Sequence, residues 1–159
     1  MASPNLIEIM ILLAALGTGV VAGVFYGFST FVMKALGRLP APQGIAAMQS
    51  INVVVINPWF MTAFFGTALL GILLMVLVGG PGAGWVIAGA LIYLVGTIVV
   101  TMACNVPLNN ALARTAPTTP ESAALWARYL SAWTRWNHVR TAAALAASAA
   151  FILGLWSMR

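Results

Sequence analysis

The sequence predicts an all-α fold, a polytopic membrane four-helix bundle. Of its 159 residues, 62% are hydrophobic and 6% are charged, against about 25% charged in an ordinary soluble domain. Crossing a bilayer takes roughly 20 apolar residues, and four runs reach or approach that length: 6–32, 59–78, 85–104 and 141–156. The charges are also one-sided. With four alternating helices, Lys34, Arg38, Arg114, Arg128, Arg135 and Arg140 share one side, and only Arg159 lies on the other. The positive-inside rule then places both long loops in the cytoplasm and both termini outside, in the plasma (inner) membrane. The chain, 1–159, reads as a single transmembrane domain.

The first helix is expected to open at Ser3-Pro4, a cap followed by proline at the first helical position. No Lys or Arg precedes its apolar run, which is too long for a cleavable leader, so the helix reads as retained. Nothing stops it before Leu39-Pro40. From Pro4 to Leu36 it would be roughly 50 Å long, against a hydrocarbon core of about 30 Å, so its last turns extend beyond the membrane. Ala15, Gly19, Gly23 and Gly27, four apart, form a small-residue stripe that lets another helix approach.

A helical tract from about Gly44 follows and ends before Pro58. The second and third crossings are joined by GGPGAG (79–84), a tight turn. The last helix starts at Thr119-Pro120-Glu121 and meets no breaker until Gly154. It therefore begins as a cytoplasmic aromatic stretch and enters the membrane as one rod. Trp59, Trp85 and Trp156 stand at run ends, where indoles anchor at the headgroup level. An echo at an offset of 80 residues pairs Lys34 with Arg114, Pro40 with Pro120 and Asn57 with Asn137. That is the pattern of a parallel repeat about an axis along the membrane normal.

The few polar groups converge on one depth. On the third helix Tyr93, Thr97, Thr101, Asn105 and Asn109 are four apart and form one polar stripe. Pro107 removes a backbone donor there, which frees carbonyls near Ala103 and Cys104 and favours a cavity beside Asn105 and Asn109. On the last helix Trp133, Asn137, Arg140 and Thr141 share a face, with the single histidine, His138, about 100° around from Asn137. Tyr26, Ser29, Thr30 and Lys34 reach the same level, as do Gln49, Asn52 and Asn57. Asparagines and threonines of this kind also serve as interhelical glue, and interfacial Arg and His as snorkelling anchors. Their convergence from four segments favours a ligand site at the cytoplasmic mouth of the bundle.

Several chemistries lack residues. There is no Asp, and Glu8 and Glu121 lie near opposite run ends, so paired-carboxylate and di-iron carboxylate sites have no ligands. One His and one Cys leave no multi-histidine or cysteine-rich metal centre within one chain. No phosphate loop follows a strand, and the basic residues are too dispersed for nucleic acid.

GVFYGFSTFVMKAL, AAMQSINVVVINPWFM, NVPLNNAL and WTRWNHVRT resemble, in order and spacing, the anthrone oxygenase-like family of small four-helix membrane proteins. The resemblance spans Gly19 to about Ala147. It implies the four-helix fold and, by analogy with members that oxidise anthrones to anthraquinones with O₂, an oxygenase acting on a hydrophobic phenolic substrate. Many members carry proline where this chain has Lys34. The matching polar residues are Asn52, Asn57, Asn105, Asn109, Trp133, Asn137, His138 and Arg140.

Such a reaction needs a base, donors for an oxyanion and an aromatic slot. His138 is the one conventional base in the polar layer. Arg140, Asn105 and Asn109, with Asn137 beside them, are the oxyanion side of the expected catalytic group. Tyr26, Phe28, Asn52, Asn57, Trp133 and Trp136 are the expected substrate-binding residues. This reading requires no metal or other cofactor. The expected partners are the lipid bilayer, the substrate and O₂, and homo-oligomerisation stays open. Two alternatives also stay open: haem b held by His138 with Met33 or Met102 opposite, and small-molecule transport using Glu8.

Overall fold

The computed structural model describes residues 5–159, and among them the regular structure is entirely helical. The chain forms α1 (Leu6–Leu36), α2 (Ala41–Val54), α3 (Pro58–Leu77), α4 (Ala83–Ala113) and α5 (Pro120–Ser157). Four of these, all but α2, are long and apolar enough to cross a membrane. The protein is an integral membrane four-helix bundle. α5 packs against α1 and α4, and α3 closes the square by packing against the same two. α2 lies across the end where α1, α4 and α5 project beyond the short turn-linked core, touching all three.

The expected Ser3-Pro4 start lies outside the described residues. Within them Asn5 caps α1: its Oδ1 accepts the Glu8 amide at 2.9 Å, and Glu8 Oε2 accepts the Asn5 amide at 3.1 Å. This reciprocal box satisfies two donors that a helix start leaves unpaired. α2 begins at Ala41, three residues before the expected tract, because Pro40 and Pro42 suit a helix's first positions. α5 runs for 38 residues, roughly 57 Å, straight through Gly154. The GGPG turn uses positive φ at Gly80 and Gly82. A side chain on Gly82 would also collide with the backbone of Gly154, where α5 passes the start of α4.

Pro107 does not end the third transmembrane helix. α4 continues to Ala113, and the missing donor is absorbed by a wide π-helical turn over Thr101–Asn105 immediately before it. Further π-helical turns occupy Phe28–Val32 in α1, Thr62–Gly66 in α3 and Leu94–Val99 in α4.

The glycine stripe on α1 is only half used. The buried face of α1 follows Ile11, Ala14, Thr18, Val21 and Phe25, which leaves Gly23 exposed with open space around it. Close helix approach is concentrated elsewhere: Gly17 on Thr67, Gly96 on Ala143, and Gly154 on Val86. The apolar interior forms three stacked clusters, around Ile11 and Phe151 at the turn end, around Phe25, Phe64 and Tyr93 in the middle, and around Met48, Trp126 and Trp133 under α2. Leu16, Leu69, Val95 and Leu145 stay exposed within the apolar runs, as lipid-facing positions require.

The 80-residue echo is only partly matched by the helix bounds. α1 and α4 are both 31 residues long but stand 77 residues apart, whereas the ends of α3 and α5, Leu77 and Ser157, keep the offset of 80. The clearest difference between the halves lies at Asn57-Pro58, where α2 and α3 are broken apart while α5 is continuous.

Candidate active site

One face of α5 carries Trp126, Tyr129, Trp133, Asn137 and Arg140, spaced three and four apart, so all point inward. Each is at most 5% exposed. Trp126 stacks on Tyr129 and Tyr129 on Trp133, at centroid distances of 5.6 and 6.3 Å. Opposite them α4 presents Thr97, Thr101, Asn105 and Asn109. Asn109 Oδ1 accepts from both the Tyr129 hydroxyl (2.8 Å) and the Trp133 indole (2.9 Å), which locks the aromatic ladder to α4. Asn105 donates to the Trp133 carbonyl at 3.3 Å.

Arg140 stands at the centre. One guanidinium nitrogen donates to Asn137 Oδ1 at 2.6 Å and another to Thr101 Oγ1 at 3.2 Å. Its carbon lies 4.1 Å from the Phe25 ring centroid and 5.0 Å from that of Trp133, within cation–π range. Asn137 is held in turn by α1, donating to the Phe25 carbonyl and to Ser29 Oγ, both at 2.7 Å. The wide turn of α1 begins at Phe28, so α1 departs from regular geometry just where α5 hydrogen-bonds to it.

Beside this group lies a cavity of about 330 Å³, at the lower end of small-molecule pockets. All five helices line it. Its walls are largely aromatic and aliphatic, including Phe25, Phe28, Phe60, Phe64 and Met48, and its polar atoms come from Arg140, Thr101, Asn109, Asn52 and Trp133. No carboxylate lines it. Both acidic side chains are remote in the fold: Glu8 caps the start of α1, and Glu121 lies in the first turn of α5, about five turns before Arg140. The arginine is thus a buried cation paired only with an amide, a hydroxyl and two rings. Its Nε, Asn105 Oδ1 and Thr97 Oγ1 are buried with no hydrogen-bond partner among the described residues.

The structure brings Arg140, Asn109, Asn52, Phe28 and Trp133 to the cavity and sets Asn137 and Asn105 behind it as supports. The other expected site residues lie elsewhere. His138 is exposed and lines a separate groove between α1 and α5. It stands two residues from Arg140, about 200° around the helix, so the two cannot share a face. Asn57 caps α3, accepting the Phe60 amide at 3.0 Å. Tyr26 and Trp136 are exposed at 56% and 42% and do not line the cavity. Phe25, Phe60, Phe64 and Tyr129 escaped the sequence reading. Only the spacing of Tyr129 with Trp126, Trp133 and Arg140 could have signalled one of them.

Fold and site together define an integral membrane protein built around a mostly apolar cavity, its wall part aromatic and part aliphatic, with a buried cation beside it. The family described as anthrone oxygenase matches residues 59–150, and the chain belongs to that family. The matched segment contains Thr101, Asn109, Trp133, Asn137 and Arg140, and the family points to an oxygenase-type activity. No curated protein and no solved structure matches the chain.

Proposed function

We propose that the cavity binds a flat, hydrophobic phenolic or anthrone-like molecule as its anion and that O₂ oxidises it there. The observation that carries this reading is Arg140, a buried cation without a carboxylate partner, facing an aromatic cavity. Burying a charge costs several kcal/mol unless it is compensated. Two neutral hydrogen bonds and two ring faces compensate only in part, and an anionic ligand supplies the rest.

An anthrone carries an acidic methylene between two aromatic rings. Loss of its proton gives a delocalised anion whose oxygen suits Arg140, while the rings suit Phe25, Phe28 and Phe64. Away from water this attraction exceeds its value in solution several-fold. No His, Asp, Glu or Lys lines the cavity, so the proton leaves to water and the chain contributes stabilisation of the anion. The anion then passes electrons to O₂. In sum the methylene becomes a carbonyl, one oxygen atom of O₂ enters the product, and the other leaves as water with the two hydrogens. No cofactor is invoked.

Phe65 and Met102, both half-exposed, line the cavity at the seam between α3 and α4, which suits a substrate arriving from the bilayer. With the basic loops inside, this mouth opens in the cytoplasmic leaflet of the plasma membrane.

The test is oxygen uptake by purified protein supplied with a hydroxylated anthrone, compared with Arg140→Met. Acceleration by the wild type and its loss in the variant are expected. Equal acceleration by both would remove Arg140 from the reaction, and none by either would remove the anthrone.

A further inference from the structure

On the opposite side of α5 from the cavity, a groove of about 690 Å³ runs along the seam with α1. Lys34 reaches it from α1, Arg38 from the turn after α1 and Arg135 from α5, with His138 alongside. All four side chains are exposed. Among the residues that line the groove none is acidic, whereas Ser29, Ser131 and Thr134 add hydroxyl groups. The chain thus gathers three of its seven Lys and Arg residues around one concavity, and nothing in the oxidation reading uses them.

The surroundings say which anion fits. His138 stands where α5 meets its last apolar run, and continuing along its face at helical spacing come Ala142, Leu145, Ala149 and Ile152. These are all exposed or partly exposed, Leu145 at 50% and Ile152 at 53%. A soluble phosphate would use the cations and leave this strip idle. An anionic phospholipid matches both parts, its phosphate among Lys34, Arg38 and Arg135 and an acyl chain along the strip. We infer that this groove is a binding site for the headgroup of an anionic phospholipid, separate from the oxidation cavity and independent of its substrate. Basic pockets between transmembrane helices at the membrane surface recognise lipid headgroups in this way.

The test compares the wild type, Lys34→Gln/Arg135→Gln, and a control of equal charge, Arg114→Gln/Arg128→Gln, whose cations are exposed but outside the groove. Each is purified after equilibration with vesicles of phosphatidylglycerol or phosphatidylcholine, and retained lipid is counted by native mass spectrometry. Far-ultraviolet circular dichroism verifies helicity. The wild type and the control should retain phosphatidylglycerol in preference to phosphatidylcholine. The groove variant should bind it roughly 25-fold more weakly, at about fivefold per lost cation. Equal retention by the groove variant and the control would overturn the proposal, as would equal retention of phosphatidylcholine by the wild type. Displacement of the lipid by millimolar inorganic phosphate would make the groove a soluble-anion site instead.

Discussion

Residues 6–77 and 83–157 follow the same course, a 31-residue helix and then a return, yet they treat equivalent asparagines differently. In the first half Asn57 is followed by Pro58, which disfavours helix at the residue before it. Asn57 is extended, at φ −122° and ψ 158°, and its side chain caps α3. In the second half Asn137 is followed by His138, the helix continues, and the Asn137 side chain is left free to hold Arg140 against α1. The break lets α2 fold over the end of the bundle, where Met48, Ile51 and Asn52 roof the cavity. The unbroken rod supplies the floor and the cation. One register thus gives a hinge in one half and a rigid wall in the other, and the residue after the asparagine makes the difference.

Forcing the second half to copy the first is expected to do the most damage. His138→Pro removes the hydrogen bond to the Thr134 carbonyl and clashes with it, costing about 3 kcal/mol or more. A lowered thermal unfolding midpoint and loss of anthrone turnover together would register it. An unchanged midpoint would show that the continuity of α5 matters less than argued.

Arg140→Met keeps the rod and deletes the cation. Turnover should fall by about 10²–10³-fold, as when a donor to a developing oxyanion is lost. The unfolding midpoint should hold or rise, because an apolar residue of similar size replaces a buried charge. A coupled loss of both would assign Arg140 to structure.

Asn57→Ala probes the hinge. Loss of a helix cap costs about 1 kcal/mol, so a modest drop in midpoint is expected, with turnover changed only as far as α2 loosens over the cavity. The smallest effect belongs to His138→Ala, which keeps the helix and alters only the outer face. Turnover should stay within about twofold of the wild type, and a loss approaching that of Arg140→Met would restore the histidine as the base.

The sequence by itself determined the four crossings, the uninterrupted last helix and the depth at which polar groups collect. Depth is legible because it is rise per residue multiplied by position along the chain, with caps, prolines and charges as markers. It also placed Asn109, Trp133 and Arg140 correctly in one layer. Direction around each helix was decided only by the tertiary structure. In helices apolar on every side, no polarity contrast marks the inward face, so nothing in the sequence singles out Phe25, Phe60 and Phe64. The π-helical turns in α1, α3 and α4 then rotate the succeeding residues out of the regular period. Neighbouring letters in TRWNHVRT suggested that His138 and Arg140 act together, but two residues on a helix point about 200° apart. Packing of α1 against α5 turned one toward the cavity and left the other facing outward.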